Sequence, residues 1–389
     1  MLENVVPLFA AAVPSAFAWP DDGMRWVQDA RRSAPGLDSL LTWAFRVGAS
    51  RIAFQTGHPV WVRVHGRNYR ATRADLGEYE FSQIVNHLYA ADGMARLQGG
   101  SDFDTAYSIA VDRSTRLRFR LNATPTRTSR RDGGNIVLRP ISDMPPTLEQ
   151  QLVEAGILEA YRPHQGMVIV SGPTGSGKST LIAGMTVAKL LDPHCHYDIV
   201  EGAAPVEFLL EQVRGVNSTI NQTEIPQNIE TFPAFIRGCM RREPTDIIVG
   251  ECRDSETMIA SIQAAISGHV LTTTTHANDV ALTMQRIASL CPTGERDSLI
   301  SAVAQSLRLV VNQRLVPSVD GRRTALREFL AFDAGLRNRF MQADPSEWPA
   351  MTRRAVEEQG QSYAKAIDLA LHQGRISEEV ARDQRRNIG

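Results

Sequence analysis

The residues best suited to chemistry are 172–180, GPTGSGKST. Gly172 and Gly177 frame four residues and are followed by Lys178 and Ser179, the spacing G-x-x-x-x-G-K-[ST]. In this arrangement glycines let backbone N–H groups close around phosphate oxygens, an ammonium neutralises the β and γ phosphates, and a hydroxyl can ligate Mg²⁺. Gly172, Pro173, Thr174, Gly175, Ser176, Gly177, Lys178, Ser179 and Thr180 are therefore expected to cradle ATP or GTP with Mg²⁺. The apolar run MVIVS just before them reads as a strand, and the helix expected over 180–191 would aim its positive end at the anion.

A magnesium nucleotide calls for a carboxylate beside it, usually at the end of an adjacent strand. DIIVGECRD meets that need: Ile247, Ile248 and Val249 make a strand, and Glu251 follows at the carboxyl edge where open α/β sheets bind ligands. Glu251 is thus expected on the metal side with Ser179, directly or through water. Asp246 would lie at the far edge, and Asp254 is able to cap the next helix. A second segment, DIVEGAAPVEF, offers Glu201 and Glu207 as general-base candidates. A third, SGHVLTTTTHAND, ends in His276, placed to hydrogen-bond the γ-phosphate, although a histidine after such a strand is often only structural.

These residues need a scaffold. From Met167 onward the order is buried strand, glycine turn, helix, strand, which predicts a parallel sheet with helices on its faces. Upstream, helical spacing over 37–47, the alternating runs RIAFQ and VWVRVHG, one amphipathic helix over 81–97, and strands TAYSIAV and RLRFRLNA predict an α+β domain. RPISDMPPTLEQ holds three prolines and no apolar periodicity, so it reads as a connector. The expected division is an arm over 1–33, a first domain over 34–139, a linker over 140–150, an α/β domain over 151–330 and a polar helical tail over 331–389.

Composition narrows the class. A chain of 389 residues, 43% hydrophobic and 22% charged with mean hydropathy −0.21, has the make-up of a globular protein of two or three domains. The 42 cations balance 43 anions, so net charge does not draw the chain to nucleic acid. The cations include only three lysines, Lys178, Lys189 and Lys365. Four scattered cysteines suggest neither disulfides nor a four-cysteine metal site, and no apolar run is long enough to span a membrane.

Taken in order, the four segments resemble the secretion ATPase superfamily, the motors of type II secretion, type IV pili and type IV secretion. GPTGSGKST is similar to its Walker A segment, IVEGAAPVEF to its Asp box, DIIVGECRD to its Walker B segment and SGHVLTTTTHAND to its His box. GASRIAF, DFDTAYSIAV, RFRLNA, VLRPI and QSLRLVVNQRLVP extend the likeness over roughly 37–330. Within the superfamily the chain resembles the PilT-like branch, and there the DotB/TraJ-type ATPases of conjugative and type IVB transport. The resemblance implies a PAS-like N-terminal domain joined to a RecA-like P-loop domain. It also implies a homo-hexamer that hydrolyses ATP in the cytoplasm, against inner-membrane secretion or conjugation machinery. Arg118 and Arg120 of RFRLNA match the branch's arginines that answer transition-state charge.

Two departures stand out. Ala203 takes the place of the first glutamate of the Asp box, leaving Glu201, two residues earlier, or Glu207 to serve as base. AFDAGLRNRFMQ replaces the segment that marks pilus-retraction motors, which favours conjugation or secretion as the task. A pilus-retraction-like ATPase, a RecA-like nucleic-acid motor and a nucleotide-gated scaffold are the alternatives. Direct nucleic-acid binding, which would want a basic groove with stacking aromatics, is not expected, because aromatics are only 6% of residues and the net charge is -1.

Overall fold

The computed structural model describes residues 34–64, 67–72, 74–111, 116–127, 132–141, 144–292, 294 and 296–388. The expected arm over 1–33 lies outside them. The chain divides into two compact units, meeting in sequence between Asp143 and Met144.

The first unit opens with α1 (Ala34–Arg46), then β1 (Ala49–Gln55), β2 (Trp61–Val64), β3 (Arg67–Arg70), α2 (Glu78–Leu88), α3 (Gly93–Gln98), β4 (Phe103–Ala110), β5 (Arg116–Arg127) and β6 (Asp132–Ile141). Its strands form one sheet in the order β3-β2-β1-β6-β5-β4, antiparallel throughout. Alternation does the sorting. Ile52, Phe54, Val62, Val64, Phe119, Leu121 and Leu138 face the core with Leu40, Phe81 and Ile84 of the helices, so the residues between them face away. The single helix expected over 81–97 is two. The Asn86 side chain accepts from Met94 N at 2.9 Å, starting a second helix where the first has ended.

The second unit runs α4 (Ala155–Ala160), β7 (Gly166–Ser171), α5 (Lys178–Leu191), β8 (Asp198–Ala203), β9 (Thr219–Glu224), α6 (Phe232–Cys239), β10 (Asp246–Val249), α7 (Ser255–Ile266), β11 (Val270–Thr275), α8 (Val280–Leu290), α9 (Arg296–Ser306), β12 (Leu307–Pro317) and β13 (Arg323–Ala331). Four more helices follow: α10 (Ala334–Gln342), α11 (Trp348–Gln359), α12 (Tyr363–His372) and α13 (Glu378–Arg386). The sheet order is β13-β12-β7-β11-β10-β8-β9, parallel except for the β12–β13 pair.

Helices cover both faces at the centre of this sheet, which is why β7 and β10 are nearly continuously apolar, whereas β11 buries a run of threonines and the edge strand β9 is polar. Val168, Val170, Ile199 and Ile248 pack with Leu181 and Met185 of α5, while Met167, Ile169, Val200, Ile247 and Val249 pack with α6 to α9. Each such fully buried side chain contributes about 1.5–3 kcal/mol. At the amino-terminal edge Lys189 of α5 and Asp246 of β10, both buried, form an ion pair at 2.5 Å. The Lys189 ammonium also lies 4.2 Å from the Tyr161 ring centre and 5.0 Å from that of Tyr197. The tail helices close the far side: Trp348 packs on Phe340, and Tyr363 and Ile367 pack on Val316 and Leu326.

Candidate active site

β7 delivers the cradle. Its last residue, Ser171, is buried, and Gly172 follows at φ +142°, a conformation that side chains rarely adopt. A Cβ there would fall 2.3 Å from the Gln313 carbonyl oxygen and 2.8 Å from Ser176 Oγ, so only glycine fits. Gly177, at φ +83°, precedes α5, whose first-turn N–H groups have no partners within the helix. Pro173, Thr174 and Gly175 are exposed, whereas Ser179 and Thr180 are half-buried. Ser176 Oγ is buried without a hydrogen-bond partner, a polar atom that a phosphate oxygen would satisfy. Lys178 Nζ donates to the carbonyls of Gly172 at 2.8 Å and Pro173 at 3.0 Å. Burial lowers its pKa, and the charges of Glu207 and Glu251 oppose that shift.

The carboxyl edges of β8, β10 and β11 are tied together just beyond this loop. Gly250 N donates to Gly202 O, Cys252 N to Thr274 O, and Thr274 Oγ1 to Gly250 O at 2.6 Å. These bonds fix the backbone on both sides of Glu251. Its carboxylate pairs with Arg253 Nε at 2.6 Å and acts electrostatically on both Lys178 and His276. Asp254 stands apart, accepting from Thr257 N at 2.8 Å and Thr257 Oγ1 at 3.1 Å as the cap of α7. Asp254→Ala should destabilise the chain by about 1 kcal/mol, read as a lower denaturation midpoint, with ATP turnover per folded chain unchanged within about twofold. A collapse of turnover would return Asp254 to the metal side.

His276 follows β11 and lies against the cradle, Nδ1 being 3.3 Å from Gly172 O. Burial and then the Lys178 charge lower its pKa, so the ring is neutral near pH 7. Facing a carbonyl, Nδ1 must carry the proton and donate, which leaves Nε2 an acceptor. In this arrangement the ring can take a hydrogen bond from water. To donate to a γ-phosphate, Nδ1 must first leave Gly172.

The two base candidates separate. Glu201 lies within β8, facing Gln222 of β9, whose Nε2 donates to it. Strand geometry puts Glu201 and Ala203 on one face but roughly 7 Å apart along it, so Glu201 sits back from the edge that Ala203 reaches. Burial pushes its carboxyl up to about 7, with the charge of Glu207 adding to the shift and the Gln222 bond opposing it. Glu207, in the loop after β8, is the one whose charge reaches Lys178.

Below about pH 7 the folded chain holds a proton on Glu201 that the unfolded chain sheds near its ordinary 4.5. This stabilisation is present in full below 4.5 and is lost as pH rises through about 7. Glu201→Gln should therefore raise the melting temperature at pH 8.5 and change it little at pH 5, the difference being read from paired thermal scans. Equal shifts at both pH values would contradict a buried carboxyl.

Arg118 and Arg120 belong to the first unit. They alternate on β5 on the face away from the core, Arg118 buried and Arg120 half-buried and opposite Arg139 of β6. Burial, then the charge of Arg63 and then that of Arg139, depresses the pKa of Arg51 on β1.

Sequence reasoning assigned no role to Asn312 and Gln313, adjacent in β12 and so on opposite faces of the strand. Asn312 Nδ2 donates to Ser171 Oγ at 2.7 Å and to Ala277 O at 2.9 Å, joining the residues before Gly172 and after His276. Gln313 Nε2 donates to Ser176 O at 2.6 Å. The signal available was two consecutive amides inside the apolar run LRLVVNQRLV.

Comparison with known proteins gives concordant matches. The family model described as type II/IV secretion system protein matches residues 102–382. The chain is 29% identical over 357 residues to the type IV pilus retraction ATPase PilT of Pseudomonas aeruginosa, covering 90% of this chain and 97% of that one. Among solved structures, the ATPase DotB of Legionella pneumophila superposes with TM-score 0.80 at 35% identity, over 90% of this chain and 95% of that one. The pilus retraction motor PilT with bound ADP superposes with TM-score 0.75 at 25% identity, over 89% and 96%.

Proposed function

As the chain belongs to the type II/IV secretion system protein family and is an ATPase, we propose that it is a hexameric motor driving type IVB secretion or conjugative transfer from the cytoplasmic side of the inner membrane. The observation that carries the reading is the convergence of Lys178, Glu207, Glu251 and His276 on one glycine cradle, in a chain 35% identical to DotB. No helix of the described residues is long and apolar enough to cross a membrane.

In this reading the backbone of 172–177 and the first turn of α5 bind the phosphates, and Lys178 exchanges two carbonyls for them. Ser179 and Glu251 would hold Mg²⁺, which neutralises charge on the phosphate oxygens. Glu207 takes the proton of the attacking water. The roles of Arg118 and Arg120 rest on the resemblance and belong to the assembled ring. Binding free energy does mechanical work only through a difference in affinity between two conformations, which is the basis of the motor.

A retraction motor is the second reading, supported by the 29% identity to PilT along nearly its whole length. Solution mass with a non-hydrolysable ATP analogue tests the ring, which should weigh six times the 42.9 kDa chain. A monomer at every nucleotide concentration would sink it. Deleting the gene should abolish export or conjugation with twitching intact, and loss of twitching alone would favour retraction.

A further inference from the structure

Gln313 and Arg327 connect the cradle to the segment through which the chain enters the second unit. Arg327, on β13, is 1% exposed, and three of its nitrogens donate hydrogen bonds. Nε donates to Gln313 Oε1 at 2.7 Å, Nη1 to Leu152 O and Glu154 Oε2 at 3.0 Å each, and Nη2 to Gln151 O at 2.9 Å. A buried cation is costly even when paired, and an apolar side chain of similar volume serves stability as well or better. Arg327 therefore needs an explanation beyond packing.

The first part of that explanation is peptide geometry. A trans peptide points its C=O and its N–H in opposite directions. Gln313 Nε2 holds the Ser176 carbonyl, so the N–H of Gly177 in the same peptide points the other way, away from β12. An amide side chain can flip, but Arg327 offers only donors, so Gln313 must face it with oxygen and face Ser176 with nitrogen.

The second part lies in the entry segment. Leu152 has φ +49°, a conformation that costs a non-glycine residue about 1–3 kcal/mol and persists only where its surroundings impose it. The residue is 51% exposed, so its own packing does not impose the turn, which is closed by the backbone bonds of Leu152 N to Glu149 O and Val153 N to Leu148 O and held through the Leu152 carbonyl by Arg327. Next to it, Gln151 Nε2 donates to Thr180 O at 3.2 Å, in the first turn of α5. The strained turn is thus fastened to both ends of the helix start that follows the cradle.

We infer that Gln313 positions the Gly177 N–H for phosphate, and that Arg327 couples phosphate binding there to the turn at Leu152, so nucleotide state is felt where the chain leaves the first unit. The inference rests on 172–180 being the nucleotide site. Ligand at Gly177 draws on a peptide whose other end is held by Gln313. Movement of that peptide reaches Gln151 and Leu152 through a single rigid guanidinium.

Hydrogen exchange of the amides in 147–154, with and without saturating ADP and Mg²⁺, tests this in the full-length chain. In the wild type ADP should slow their exchange about tenfold or more. Gln313→Glu keeps an acceptor for Arg327 but sets a second oxygen against the Ser176 carbonyl. It should raise the KM for ATP about tenfold and abolish the ADP response at saturation. Arg327→Lys, which reaches fewer partners, should weaken the response while leaving KM less affected. An unchanged ADP response in Gln313→Glu overturns the coupling, as does a wild type that binds ADP with no change in 147–154. A wild type that fails to bind ADP at all instead overturns the assignment of the nucleotide site.

Discussion

Lys178→Ala is expected to lower ATP turnover by about 10²- to 10³-fold, the loss typical of removing one fixed donor from a developing oxyanion. The side chain is buried and its nitrogen already holds two carbonyls of the cradle, so nothing nearby can replace it. Alanine also frees those carbonyls, which face the same anion unneutralised, so nucleotide affinity should fall together with kcat. The fold should survive, because Pro173 is exposed and its carbonyl can turn to water, while His276 Nδ1 still donates to the Gly172 carbonyl. Steady-state turnover and equilibrium ADP binding check this jointly. Turnover within tenfold of wild type would show that the phosphates bind elsewhere.

The second large effect concerns the base. Glu207→Gln should reduce kcat by about 10²- to 10⁴-fold with ATP still bound, the range for loss of general-base catalysis. Glu201→Gln should change kcat less than about fivefold, because its carboxyl lies back within β8 and is held by Gln222. A carboxyl pushed up to about 7 has the pKa of a poised base, but geometry comes before pKa in that assignment. Single-turnover rates at saturating ATP separate the two. A large loss from Glu201→Gln with Glu207→Gln near wild type would reverse the roles.

The parts of the site that depend on local sequence were legible. The spacing of Gly172, Gly177, Lys178 and Ser179 requires a particular loop, and an apolar strand before it requires a buried sheet. Position relative to a strand end was readable for Glu251 and His276 for the same reason. The Glu201 and Glu207 alternatives could not be resolved from the chain, because the choice depends on where β8 stops and on which partner strand supplies Gln222. Gln313 and Arg327 were invisible because their partners lie 137 and 173–176 residues away in sequence. The break between α2 and α3 was hidden by an apolar periodicity that continues across it, whereas the Asn86 bond that starts the second helix is a matter of geometry.

The placement of the lysines has a practical consequence for labelling. Lys189 is sealed beneath the sheet by Asp246 and two tyrosine rings, and Lys178 is covered by its own loop, whereas the Lys365 side chain is 48% exposed. Among the three lysines, an amine-selective reagent should acylate Lys365 first. Lys178 should react only when its loop opens, and Lys189 only after unfolding. A fluorophore can therefore be directed to α12 of the native protein ahead of the other two lysines, and the slow acylation of Lys178 becomes a clock for the opening of the cradle.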